Sequence, residues 1–257
     1  MTVPHDPVER PKTALVTGAA RRVGAVLARR LAAAGYRVAR HARGEDEAVL
    51  ALVAALQAQG SEVVALYADL AEPAARQDLI VRAARALGPI DLLVNIAASF
   101  VSDTFETFDE ASFDTHLAIN LKAPVDLARH FANHSSTDDP SIVNIIDHRV
   151  LKLTPQHFTY TLSKVALHAA TTTMAQALAP RIRVNAIGPG PVYPNPKDGD
   201  RGFSQEVSGV PLHHAVSADE IAAAVLYLAS ARSVTGTLLP VDSGQAIGWK
   251  TPDIVLT

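Results

Sequence analysis

Tyr160 and Lys164 stand four residues apart in a stretch of helical period, a spacing that puts a phenol and an ammonium on one helix face. A cation so placed favours the phenolate. The expectation is therefore a Tyr160 pKa drawn below its usual value of about 10, and a side chain able to give or take a proton. Asp147 closes a β-branched run shortly before Tyr160, where a carboxyl group can share the acid–base work. A second chemical feature lies near the start, where an aliphatic run opens into Thr17-Gly18-Ala19-Ala20-Arg21-Arg22-Val23-Gly24. Gly18 permits a tight turn, Ala19 and Ala20 let backbone approach a pyrophosphate, and Gly24 lets a following helix pack closely on a sheet.

A dinucleotide bound at such a turn meets the end of the next strand at its adenosine ribose. An acid there selects NAD, but the residues are Arg40-His41-Ala42-Arg43, with no carboxylate before Glu45. Together with Arg21 and Arg22 they can pair with a ribose 2′-phosphate, so NADPH is expected over NADH. Solvated surface arginines are the plainer reading of the same residues. Asp69-Leu70 ends the third strand where an adenine ring would lie, and Asp69 equally suits a strand-end cap.

Short aliphatic runs alternate with Ala/Leu-rich segments of helical period along the chain. Strands are expected at 13–18, 36–41, 62–70, 91–95, 141–147, 182–188 and 237–242. Helices are expected at 22–35, up to Gly60, from Pro73 to Leu87, and across 110–133, 158–179 and 218–231. That alternation predicts one α/β domain over residues 1–257: a Rossmann-type, doubly wound, seven-stranded parallel sheet with helices on both faces. Ligands in this architecture sit at the carboxyl ends of the strands, beside the reversal in strand order. The Pro- and Gly-rich stretch 189–214 is expected to be a long irregular substrate loop.

Composition narrows the partners. The net charge is −3, with 23 basic and 26 acidic residues spread along the chain, which gives no stripe for nucleic acid and no polybasic membrane anchor. No cysteine is present, so disulfides and thiolate metal sites are excluded, and the histidines, His213-His214 included, show no metal spacing with acids. No stretch has the length of a membrane helix or the form of a secretory signal, so a cytoplasmic protein acting on a small molecule is expected.

Six motifs fall in one order on the expected elements: T-G-x-x-x-x-x-G at 17–24, Asp69-Leu70, Asn95, Asn120, Y-x-x-x-K at 160–164 and Pro189-Gly190. The chain resembles the short-chain dehydrogenase/reductase family from residue 12 to about 248. The resemblance implies that Tyr160 moves the proton, that Lys164 holds the nicotinamide ribose and tunes Tyr160, and that Asn120 supports a water relay. It assigns Val23, Asn95, Ala97, Pro189, Gly190 and Val192 to the cofactor as well. Fold relatives usually form tetramers through the helices bearing Asn120 and Tyr160, so a homotetramer is expected.

Three departures from the family's pattern gather at the same place. Arg22 replaces a glycine, Asn95-Ile96-Ala97-Ala98 with Ser99-Phe100 replaces N-N-A-G, and Asp147 replaces the catalytic serine. Together they look like the pteridine reductase branch, with Arg22, Phe100 and Asp147 on its T-G-x-x-x-R-x-G, N-x-A-S-x-F and catalytic-Asp positions. Ala98 stands where that pattern has serine. A flat polar pterin needs an aromatic face, a nearby arginine, and acid–base groups suited to ring nitrogens. The implied activity is NADPH-dependent reduction of a dihydropterin or dihydrofolate C=N, with Phe100, Arg22, Asp147 and Tyr160 against the substrate.

Alternatives stand beside these assignments. Asp147 can be a strand-end residue bonding loop amides, Phe100 can be core packing, and Ser163 is expected to pack helices. His148 and Arg149 follow Asp147 on what reads as extended chain, so at most one accompanies it inward, and neither is placed in the chemistry. For the whole chain, the alternatives are a ketone/alcohol oxidoreductase with Asp147 standing in for serine, and a non-catalytic dinucleotide-binding sensor.

Overall fold

The computed structural model describes residues 10–45, 47–195 and 199–249. Seven strands form one wholly parallel sheet in the order β3-β2-β1-β4-β5-β6-β7. They are β1 (Thr13–Val16), β2 (Arg37–Ala42), β3 (Val63–Tyr67), β4 (Leu92–Asn95), β5 (Ser141–Ile145), β6 (Arg183–Pro189) and β7 (Leu238–Val241). The strand order reverses between β1 and β4, which opens a crevice at their carboxyl ends.

Every residue of β1, β4 and β5 is buried, because helices cover both faces of the sheet. On one side α1 (Arg22–Ala33), α2 (Glu47–Ala58) and α8 (Ala218–Ser230) press Leu27, Leu31, Leu52 and Val225 onto Val16, Val38 and Val94. On the other side α3 (Pro73–Leu87), α5 (Ala123–His134) and α6 (Phe158–Leu178) press Leu79, Leu127 and Ala175 onto Leu15, Leu93 and Ile142. Pro73 begins α3, where its missing N–H costs nothing, and Ser217 with Glu220 forms a capping box at α8.

Two stretches depart from the sequence expectation. The helix expected across 110–133 is α4 (Glu110–Leu117) and α5 joined by a π turn over Ala118–Lys122. Pro124 has no N–H to give the carbonyl of Asn120 four residues earlier, so the helix widens there. The stretch 189–214 contains a helix, α7 (Gly199–Gly209), rather than a continuous irregular loop. Its composition concealed it, since Gly199, Gly202 and Gly209 and the prolines of the stretch read as loop. Pro196 of the proline run lies outside the described residues. Among the described residues no helix is long and apolar enough to cross a membrane.

Candidate active site

The crevice at the strand reversal holds a cavity of about 860 Å³, and most of the site residues expected from sequence line it. The turn after β1 forms one wall. Gly18 has φ +62°, and a Cβ there would stand 2.7 Å from Cα of Ala97, so glycine is required both for conformation and for close approach to the end of β4. Thr17 fastens this junction, because its hydroxyl accepts from the N–H groups of Ile96 and Ala97 at 3.0 and 3.2 Å. The sequence motif includes Thr17, but nothing in its spacing assigned the hydroxyl this role.

Helix α1 starts against the cavity with no cap from the Arg21 side chain and no acid in its first turn. Its positive dipole end, with Arg21 and Arg43 on the same cavity, fits a phosphorylated dinucleotide. Two bases expected at this corner are engaged otherwise. Arg40 is buried, and its guanidinium donates to the carbonyls of Val49 at 2.9 Å and of Ala19. His41 lines the cavity, but its Nδ1 accepts from the Gly18 N–H at 3.1 Å and its Nε2 donates to the Ala68 carbonyl at 2.9 Å. Burial pushes its pKa down, so the ring is neutral and supplies no charge. Alternation along β2 explains both: Arg40 turns under the helices, and His41 turns to the crevice between backbone groups.

Asp69 and Leu70 line the cavity, and Asp69 also accepts the Ala71 N–H at 2.9 Å, so cap and cavity wall are the same residue. Val23, Gly24, Ala97, Pro189, Gly190 and Val192 line it too. A Cβ on Gly190 would lie 2.6 Å from Cα of Asp242, so that turn is held tight against the end of β7. Asn95 and Asn120 are absent from this lining. Asn95 donates to Asn144 on β5 at 2.9 Å. Asn120, fully buried on the π turn, accepts the Ser99 N–H at 2.8 Å and donates to the Ser99 carbonyl and Ser163 hydroxyl at 3.0 Å. It fixes the base of the Phe100 loop. Ser163 in turn donates to the Tyr160 carbonyl at 2.6 Å, a packing role within α6.

Helix α6 carries Tyr160 and Lys164, both buried, to the floor of the crevice. The Tyr160 hydroxyl donates to Oδ2 of Asp147 at 3.1 Å. Lys164 donates to the Ile145 carbonyl at 2.9 Å, and its Nζ lies 5.7 Å from the Tyr160 ring centre. Burial brings the Lys164 pKa down to about 8, against the pull of Asp147. The Tyr160 expectation is reversed: burial and then the Asp147 carboxylate push its pKa well up, so Tyr160 holds its proton. Helical spacing put the two groups on one face but carried no information about the burial and the carboxylate that outweigh the cation.

Asp147 is followed by a 3₁₀ turn, His148–Val150, and not by extended chain. The turn corrects the exclusion of its neighbours, because both reach Asp147: His148 Nδ1 lies 3.1 Å from Oδ1, and the Arg149 guanidinium lies 3.3 and 3.2 Å from the two oxygens. Asp147 also accepts the Arg149 N–H at 2.9 Å, so it is a turn cap as well as the partner of Tyr160. Phe100 is 41% exposed and is no core residue. Its ring meets that of Tyr160 edge-on at 4.7 Å. Across the cavity Arg22 lies 5.1 Å from the ring centre of Tyr193 and donates to the Pro194 carbonyl at 2.8 Å. Tyr193, which the sequence reading did not single out, thus lines the same cavity. Among the described residues no group of His, Asp and Glu is placed to hold a metal ion, and His213 and His214 are exposed.

The family model described as enoyl-(acyl carrier protein) reductase, of the short-chain dehydrogenase/reductase type, matches residues 18–246. An alternative dihydrofolate reductase 1, FolM, from Brucella canis, solved in complex with NADP, is 42% identical; the match covers 95% of this chain and 97% of that one, with a TM-score of 0.91. An uncharacterized oxidoreductase of Methylorubrum extorquens is 32% identical over 91% of this chain and 97% of its own. The 3-oxoacyl-[acyl-carrier-protein] reductase FabG of Staphylococcus epidermidis is 29% identical over 91% and 98%.

Proposed function

The chain belongs to the short-chain dehydrogenase/reductase family of oxidoreductases, and on that premise we propose that it is an NADPH-dependent reductase of pterins, of the dihydropterin, dihydromonapterin or dihydrofolate type. The observation that carries this reading is the pairing of the Tyr160 hydroxyl with the Asp147 carboxylate at 3.1 Å, edge-on to a half-exposed Phe100. Likeness to an NADP-bound dihydrofolate reductase across nearly the whole chain supports it.

The start of α1 with Arg21 would hold the cofactor's phosphates, Arg43 the 2′-phosphate, Asp69 and Leu70 the adenine side, and Lys164 the nicotinamide ribose. NADPH, when bound, supplies a hydride. Tyr160 supplies the proton: its pKa is raised, so it stays a phenol through the neutral range and can protonate the ring nitrogen beside the reduced carbon. Asp147 orients that hydroxyl. Phe100 offers a ring face to a flat substrate, and Arg22, fixed between Tyr193 and Pro194, marks the opposite wall. Asn120 acts indirectly, holding Ser99 and hence the loop that presents Phe100. Homotetramer assembly through the segment bearing Asn120, α4 to α5, and through α6 is part of the proposal, and sedimentation tests it.

Likeness to FabG favours a second reading, a reductase of ketones. One experiment separates the two. The purified protein is supplied with NADPH and either dihydropterins and dihydrofolate or a ketone panel. Rapid NADPH oxidation with the pterins alone is expected; turnover restricted to ketones would remove the pterin reading.

A further inference from the structure

The Asp147 carboxylate receives more donors than a strand-end cap needs. Oδ1 takes the Arg149 N–H at 2.9 Å and faces His148 Nδ1 at 3.1 Å. The Arg149 guanidinium spans both oxygens at 3.3 and 3.2 Å, which leaves Oδ2 shared between Arg149 and the Tyr160 hydroxyl. The side chains are 12% and 18% exposed for Asp147 and Arg149, so water screens the pair weakly. His148 also reaches the Pro189 carbonyl at 3.2 Å, which ties the turn to the end of β6. The charged or titratable groups facing Asp147 are Tyr160 and Lys164 from α6 and His148 and Arg149 from its own turn, with Glu206 of α7 beyond His148.

A carboxylate beside a phenol creates a difficulty that a serine would not. When Tyr160 loses its proton, a second negative charge forms 3.1 Å from the first. Lys164 bonds the Ile145 carbonyl, whereas the Arg149 guanidinium contacts the carboxylate directly. We infer that Arg149 is a positioning residue of this site, locking the Asp147 carboxylate with Oδ2 toward Tyr160 and balancing the negative charge that builds there when Tyr160 gives up its proton. The inference rests on the proposed role of the Tyr160–Asp147 pair, though not on which substrate takes the proton. Arg149 also opposes the rise that burial and Asp147 impose on the Tyr160 pKa.

Arg149→Met is expected to lower kcat with dihydropterin by about 10- to 100-fold while KM for NADPH and the melting temperature hold, and Arg149→Lys to recover part of the loss. On an Asp147→Asn background, Arg149→Met should change kcat by less than about two-fold, because the partner it positions is gone. Losses that multiply independently, an unchanged kcat, or NADPH affinity and melting temperature falling in step with kcat would each overturn the inference. A readout independent of turnover is the ultraviolet titration of Tyr160, taken as the difference from Tyr160→Phe: Arg149→Met should move it to higher pH, and no movement overturns the assignment. If the wild-type protein oxidises NADPH with no pterin, the proposed substrate fails, while the titration still decides Arg149.

Discussion

Arg22 holds its guanidinium 5.1 Å from the centre of the Tyr193 ring, a contact that joins the start of α1 to the chain after β6 across the cavity. The backbone of Arg22 has φ 51°, the left-handed region that favours glycine. A non-glycine residue there costs roughly 1–2 kcal/mol. A side chain thus stands in a conformation that favours glycine, on the wall of the cavity.

Arg22→Gly should accordingly raise the melting temperature or leave it unchanged, as relief of strain offsets the lost contacts with Tyr193 and Pro194. KM for the pterin should rise by about 10-fold or more, as expected for loss of a hydrogen bond from a charged group. Calorimetry and steady-state kinetics on the same preparation check both halves.

Tyr160→Phe removes the proton donor and leaves the Arg149 contacts of Asp147 in place. A fall in turnover of about 100- to 10,000-fold is expected, with NADPH binding by fluorescence titration unaltered. Retained turnover would take Tyr160 out of the chemistry.

Asp147→Ser restores the usual residue of the family at that position. With the carboxylate gone, the largest electrostatic cause of the raised Tyr160 pKa disappears, so its titration should move to lower pH. Pterin reduction should fall and ketones should become substrates, measurable on the panel described above.

Lys164, with a pKa of about 8, is charged below that pH and neutral above it. If its cation holds the ribose, kcat/KM should decline as pH rises through about 8. Tyr160, raised well above 10, remains protonated over the same range and cannot be the cause. Lys164→Arg should push that limb to higher pH, since guanidinium does not lose its proton there.

Arg43 lies on the cavity, while Arg40 and His41 are engaged by backbone groups. Arg43→Glu should weaken NADPH about 10- to 100-fold with little effect on NADH, by removing one charge-assisted bond and adding a like charge. Fluorescence titrations with both cofactors read the selectivity directly.

Most strands and helices were legible because short aliphatic runs alternate with longer Ala/Leu-rich segments, and the wholly parallel sheet follows from that alternation. Helix α7 was hidden by its glycines and by the prolines around it, and the π turn because its cause is a backbone donor missing at Pro124. Most of the residues read from motifs came together on one cavity, since spacing along a helix or at a strand end survives folding. Asn95 and Asn120 were named from order in the chain, and the fold uses them one layer below that cavity.

By itself the sequence determined which groups meet: Tyr160 with Lys164 on one helix face, Asp147 at the end of β5, and the glycine turn at the start of α1. Only the tertiary structure decided their charge and direction. Burial depth arises from packing between distant segments, while Asp147 caps its own turn; together they make Tyr160 a phenol, His41 neutral, Arg40 structural and Arg149 the partner of the carboxylate. Periodicity says which way a side chain faces. The solvent and charges it finds there are properties of the assembled fold.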